Sequence, residues 1–163
     1  MNVRQIFDNI PNLEVTSASP GWVSFKIPPD LDCKDRVVDF FRSQIADLEN
    51  ELACRLTIAL DELLSNAIEH GCKEEPACGV EFSLIRTERI LMLHIRDAGP
   101  GFSISAVPHA ALSNPPEDPL RHAEYRSQTG LRPGGFGILL VKQIADELIY
   151  NEIGNAVVLI KYL

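Results

Sequence analysis

Glu62 and Asn66 stand four residues apart in the run Asp61-Glu62-Leu63-Leu64-Ser65-Asn66-Ala67-Ile68-Glu69-His70-Gly71. In a helix that spacing stacks a carboxylate one turn from a carboxamide on the same face. At roughly 100° per residue, Leu52, Leu56, Ala59, Leu60, Leu63, Leu64 and Ala67 gather into one apolar arc, so the polar pair projects at the edge of a buried stripe. A ligand can be held there. Alone, the pair reads more simply as the solvated flank of a core helix; two later glycine-rich stretches change that reading.

The first is Asp97-Ala98-Gly99-Pro100-Gly101-Phe102. It follows a run in which Leu91, Leu93 and Ile95 share one strand face by the two-residue period, and Asp97 has the same parity. A carboxylate therefore continues the inward face, where an unpaired charge is costly. A backbone N–H or an Arg would satisfy it structurally, a ligand's donor functionally. The glycines that follow permit a sharp turn or a close approach to the backbone and favour the ligand. The second stretch is Arg132-Pro133-Gly134-Gly135-Phe136-Gly137, which opens a helical pattern of Ile138, Leu139, Val141, Lys142, Ile144, Ala145 and Leu148. Free N–H groups and the positive end of the macrodipole point the same way at such a start, which suits a phosphate.

Together the three pieces could grip three parts of a nucleotide. Asp97 can accept the exocyclic N–H of adenine, where guanine would present an acceptor. Asn66 offers an uncharged oxygen to Mg²⁺, which prefers oxygen ligands and bridges to phosphates. The glycine-started helix would hold the phosphates.

The elements that must position these groups follow from periodicity. Residues 13–17 and 22–27 read as two strands around a Ser-Pro-Gly turn, Val23, Phe25 and Ile27 alternating with Trp22, Ser24 and Lys26. Pro28-Pro29 stops the second strand, and Asp30 or Asp32 can cap a helix marked by Val37, Phe40, Phe41, Ile45 and Leu48. The helix carrying Glu62 and Asn66 begins near Glu51; Gly71 should end it as a C-terminal glycine, with His70 in its last turn as a cap or packing residue. Lys73, Glu74 and Glu75 read as a solvated turn. Residues 79–86 and 90–97 read as strands, and 149–152 and 156–163 as a closing hairpin around Gly154-Asn155. From 102 to 133 no period is sustained, and Pro108, Pro115, Pro116 and Pro119 interrupt the run. A loop of that length in a compact domain is usually a lid or disordered.

At 163 residues, 45% apolar and 7% aromatic, the chain is expected to be one folded domain over 1–163. A net charge of −8 with no Lys/Arg cluster argues against direct nucleic-acid binding. Asp8 precedes any apolar run, which leaves no signal peptide to read, and no stretch approaches the roughly 18 apolar residues of a membrane span. The expected location is the cytoplasm. Cys33, Cys54, Cys72 and Cys78 form no CxxC pair and are expected to be free thiols.

The ordered set resembles the GHKL superfamily of ATP-binding domains, shared by histidine kinases, heat-shock chaperones, type II topoisomerases and MutL mismatch-repair proteins. Glu62 and Asn66 look like its N box, Asp97-Ala98-Gly99-Pro100-Gly101 its first glycine box, and Gly134-Gly135-Phe136-Gly137 its second. The resemblance runs from about residue 30 to the end. Within the superfamily the chain is similar to the anti-sigma factor serine-protein kinases, whose N box reads Glu-x-x-x-Asn-Ala before a His-Gly pair, here Glu62, Asn66, Ala67, His70 and Gly71.

The expected fold is α+β, a two-layer sandwich with a mixed, mostly antiparallel sheet and three helices on one face, ATP lying between helices and lid. The resemblance implies a kinase that binds a sigma factor and phosphorylates a serine on a small antagonist protein. In that scheme Glu62 is the general base, Asn66 the Mg²⁺ ligand, and Asp97, Gly99, Gly101, Gly134, Gly135 and Gly137 surround ATP. Arg132 reaches the γ-phosphate or the partner, or is a solvated loop arginine. A homodimer is implied by the resemblance alone. The lid, with Arg121, His122 and Arg126, is longer than the family pattern.

Three rivals stand beside this reading. A histidine kinase catalytic domain would need a dimerising helical hairpin upstream, where residues before the first helix read as strands. An ATP-gated module could sequester a partner without phosphotransfer. The chaperone or MutL type of ATPase normally adds a transducer domain after the site, and the sequence ends at Leu163.

Overall fold

A computed structural model describes residues 3, 7, 11–73, 75, 77–103, 114, 115, 117–130 and 136–163. Strand β1 (Glu14–Ser19) turns through Pro20-Gly21 into β2 (Trp22–Ile27). Helix α1 (Leu31–Gln44) follows, its first turn capped by Asp30, whose Oδ1 accepts from the Cys33 N–H at 3.0 Å. Helix α2 (Asn50–Asn66) passes into a π-helical turn over Ala67–Gly71. Then come β3 (Val80–Arg86), β4 (Ile90–Arg96), α3 (Arg121–Gln128), α4 (Gly137–Ile144), β5 (Glu147–Tyr150) and β6 (Ala156–Tyr162).

The strands form one sheet in the order β1-β2-β3-β4-β6-β5, every neighbouring pair antiparallel. This is the α+β architecture expected, its sheet antiparallel at every described pairing. Its inward face is built in register. Phe25 pairs with Phe82, Phe82 with Ile95, Ile95 with Val157, and Val157 with Tyr150, one row crossing five strands. All but Tyr150 are buried, as are Leu56, Ala59, Leu60, Leu63 and Leu64 of α2 and Val141 and Ile144 of α4, which share their core. Burying one such side chain contributes on the order of 1.5–3 kcal/mol, so the apolar arc of α2 fixes its rotation and hence where Glu62 and Asn66 project.

Four expectations are corrected. Helix α1 stops at Gln44 rather than continuing to Leu48, because the Arg86 guanidinium, arriving from β3, donates to the Gln44 carbonyl and to both oxygens of Asp47. That partner is 42 residues away and invisible to local periodicity. Helix α4 stops at Ile144, and Leu148 belongs to β5. The corner between them is held by Asp146, whose carboxylate accepts from Lys161 Nζ at 2.8 Å and the Tyr162 N–H at 2.7 Å.

The stretch expected to lack regular structure contains α3. Its sequence has no apolar stripe; the anchor is His122, wholly buried, with its N–H donating to Asn114 Oδ1 at 2.9 Å and its ring edge-on to Phe136 at 4.5 Å. The rest of the expected lid at 104–113, 116 and 131–133 lies outside the described residues.

The fourth correction concerns the thiols. Cys72 and Cys78 form a disulfide, leaving Cys33 and Cys54 free. The turn after the π-helical segment brings the two Cα atoms within 5.4 Å, a proximity that a six-residue separation does not announce. Closing so short a loop stabilises the fold by on the order of 2 kcal/mol. Reduction with a dithiol should lower the melting midpoint by several degrees, and thiol titration of the unfolded protein should then find four reactive groups where the oxidised protein has two. An unchanged midpoint after reduction would remove the cross-link from the stabilising contacts.

Candidate functional site

The site is organised where α2 changes pitch. Asn66 is its last regular residue, and the π-helical turn that follows brings His70 and Gly71 towards the ends of β4 and β6. Such turns recur at functional sites, since one extra residue in the turn re-aims the side chains after it. Gly71 does not take the left-handed conformation expected of a terminal glycine. Its role is room: a Cβ there would overlap the Asp97 carboxylate, and Gly99 packs in the same way against the Gly71 carbonyl.

Between these elements lies a cavity of about 140 Å³. Leu63, Ile95 and Val157 give it apolar walls; Asn66, Asp97 and Asn155 supply polar groups. A cavity of about 150 Å³ takes a benzene-sized ring, so a flat aromatic base can enter this one with its remainder in the open mouth.

Asp97 is 9% exposed, and its Oδ1 accepts from the Gly99 N–H at 2.8 Å. Burial pushes its carboxyl above the ordinary range, and the Gly99 N–H partly opposes that. A desolvated carboxylate with this little protein support favours a ligand that brings a proton donor. Its backbone is held by Asn155, whose place beside Gly154 in the sequence suggests only a turn residue. The Asn155 carbonyl accepts from the Asp97 N–H at 2.9 Å, and its Nδ2 donates to the carbonyls of Asp97 at 3.2 Å and Gly99 at 3.3 Å.

Asn155 is set by a five-residue connection rather than a two-residue turn: Asn151 Oδ1 accepts from the N–H groups of Gly154, Asn155 and Ala156. The two loops interlock through their glycines. Gly101 has φ +73° and Gly154 φ +83°, and a Cβ on either would run into the other loop's main chain, at Ile153 and Phe102 respectively.

Glu62 lies one turn nearer the start of α2 and does not line this cavity; its carboxylate abuts Gly137 at the opening of α4, where a Cβ would overlap it. Burial, then Asp61 and Glu69, push its carboxyl up, and Lys34 draws it back down. Lys34 was not singled out from the sequence. It is buried on α1 with Nζ 2.5 Å from Asp61 Oδ1 and 3.1 Å from Asp35 Oδ1, a cation tying α1 to α2 beside Glu62.

Among the sequence-derived candidates, Asn66, Asp97 and Gly101 thus line one cavity, Gly99 supports Asp97, and Glu62 meets Gly137 next to it. Arg132, Gly134 and Gly135 lie outside the described residues. His70 is exposed at the cavity edge, and Lys73 and Glu75 are exposed as expected of a solvated turn.

The chain is 25% identical over 149 residues to the serine-protein kinase RsbW of Oceanobacillus iheyensis, a match covering 87% of this chain and 87% of that protein. Residues 27–161 match the family model described as the histidine kinase-like ATPase domain. A family match across most of the sequence, on a sheet and helix arrangement that puts Asn66 and Asp97 on one ring-sized cavity, means that this chain belongs to the histidine kinase-like ATPase domain family.

Proposed function

We propose that this protein is an ATP- and Mg²⁺-dependent serine-protein kinase acting in a regulatory partner switch, which sequesters a sigma factor and phosphorylates a small antagonist protein. The observation that carries the reading is the meeting of Asn66 and Asp97 on one cavity with Glu62 a single helical turn away. Similarity to a serine-protein kinase along most of the chain supports it.

The residues present fit the nucleotide. Asp97 accepts the exocyclic amine of adenine, and its low solvent exposure makes that hydrogen bond selective. The Asn66 side chain, on the cavity wall, would hold Mg²⁺ through its uncharged amide oxygen, a ligand type that ion prefers. The chemistry it would supply when bound is neutralisation of phosphate charge. Glu62 takes the proton of the serine hydroxyl, and Gly134, Gly135 and Gly137, with Arg132, receive the phosphates. The protein works as a homodimer in the cytoplasm. No described helix is long and apolar enough to cross a membrane.

Incubation with labelled ATP and candidate antagonist proteins tests the reading. Phosphoserine on the antagonist, and capture of a sigma factor whose strength changes with antagonist phosphorylation, are the expected results. Nucleotide-dependent capture without transfer would make the protein an ATP-gated binding module instead, and absence of ATP binding would remove the function altogether.

A further inference from the structure

The disulfide between Cys72 and Cys78 adjoins the turn that walls the cavity. Cys72 follows Gly71, and its N–H donates to the Ala67 carbonyl at 2.8 Å, the bond that closes the π-helical turn. Ala67, His70 and Gly71 of that turn line the cavity. Gly71 also meets both parts of the first glycine turn: a Cβ on it would overlap the Asp97 carboxylate, and a Cβ on Gly99 would run into the Gly71 carbonyl. Where Gly71 sits therefore sets the room around Asp97.

At the other end of the cross-link, Cys78 leads through Gly79 into β3, whose Val80 is wholly buried and pairs with Ile27. The bond thus ties the end of the turn to a fixed strand. Little else does so among the described residues. The Glu75 N–H donates to the Cys72 carbonyl at 3.0 Å and the Cys78 N–H to the Glu75 carbonyl at 2.9 Å, both within the segment, while Lys73, Glu75 and Ala77 are exposed. Lys73 takes φ +50°, a left-handed conformation that a residue with a Cβ rarely adopts. Cys78 is half-buried and flanked by exposed Ala77, so a small thiol can approach from that side.

We propose that this disulfide is a redox switch on the nucleotide cavity: oxidised, it holds Gly71 in place against Asp97 and Gly99; reduced, it frees the turn and weakens ATP binding. The proposal rests on the reading that the cavity takes the adenine of ATP. The reductant is a dithiol. One of its thiolates attacks a sulfur of the pair and expels the other as a thiolate, which takes up a proton; the second thiol then resolves the mixed disulfide. Two electrons and two protons pass to the protein, which gains two thiols, and the dithiol leaves as a cyclic disulfide. In a reducing compartment, disulfides are usually transient and redox-sensing, which suits a bond next to a ligand cavity.

Calorimetric titration with ATP compares the oxidised chain, the dithiol-reduced chain and Cys78→Ser, all carrying Cys54→Ser to remove the exposed free thiol. The reduced and Cys78→Ser proteins should bind ATP roughly three- to tenfold more weakly than the oxidised one, since only the fraction with the turn in place is competent. Cys78→Ser should not respond to dithiol. By reciprocity, saturating ATP should shift the equilibrium between dithiol and protein towards the protein disulfide by the same factor. Amide exchange should quicken on reduction at residues 67–72 and at Gly99, and stay unchanged at Phe82 and Ile95.

Equal ATP affinity before and after reduction overturns the proposal, as the bond would then serve stability alone. A reduced protein that no longer folds also overturns it, by making the bond a staple of the whole domain. If the oxidised protein binds no ATP, the nucleotide reading falls, and amide exchange decides the rest: faster exchange at 67–72 and Gly99 keeps the bond in control of the cavity, and unchanged exchange there removes it.

Discussion

Glu62→Ala should reduce serine phosphorylation by about 10²- to 10⁴-fold, the span a positioned general base contributes, while ATP affinity changes little. The separation is expected because Glu62 abuts Gly137 outside the ring-sized cavity and takes no part in its lining. Glu62→Gln should behave alike, having the shape without the basicity. Comparable losses of binding and transfer would instead make the residue a structural support for α4.

The pH dependence follows from the same surroundings. Burial, with Asp61 and Glu69, raises the Glu62 carboxyl against the pull of Lys34. Transfer should therefore fall on acidification from a higher pH than an ordinary glutamate would give, since only the deprotonated base accepts the serine proton.

The sign for stability is opposite. A group whose pKa is raised on folding contributes stability that is fully present below its unfolded pKa and lost as pH rises through the folded one. At neutral pH the charged Glu62 thus opposes folding, and Glu62→Gln should raise the melting midpoint slightly there and not in acid. A residue that costs stability where it serves chemistry is an expected trade.

Asp97→Asn should weaken ATP binding tenfold or more. A hydrogen bond to a charged acceptor contributes about 1.5–3 kcal/mol, which corresponds to that factor or a larger one, and the neutral amide also presents an N–H where the adenine amine donates. The unaltered protein should discriminate against GTP, and the variant should lose most of that discrimination. Burial raises the Asp97 carboxyl, so by the linkage just given its charge costs stability at neutral pH. The variant should remain folded, and an intact melting transition would tie the lost affinity to recognition. Unchanged ATP affinity in a folded Asp97→Asn protein would move adenine recognition to another residue.

The resilience of the sequence reading differs by scale. The apolar arc of α2, the alternation in β2 to β4 and the parity of Asp97 are local properties. A period of 3.6 or 2 is written into consecutive residues and survives any tertiary arrangement that buries one face. So the helix bearing Glu62 and Asn66, the strand ending in Asp97 and the turn after it could be read from residue order alone. Helix ends were less legible. Arg86 halts α1, and Asp146 bends the chain between α4 and β5, through partners on other elements.

Residue types and their order along the chain determined that a carboxylate, a carboxamide and glycine-rich turns would stand at element ends, because helical and strand periods carry that much. Tertiary structure alone decided what those groups meet. Gly71 serves as clearance for Asp97 rather than as a helix stop, Asn155 clamps the first glycine turn across 58 residues, and Cys72 closes on Cys78. Tyr150 joins the cavity only because three strands align it with Val157 and Ile95. These are contacts between segments distant or irregular in sequence, and no local period encodes the distance between two separate backbones.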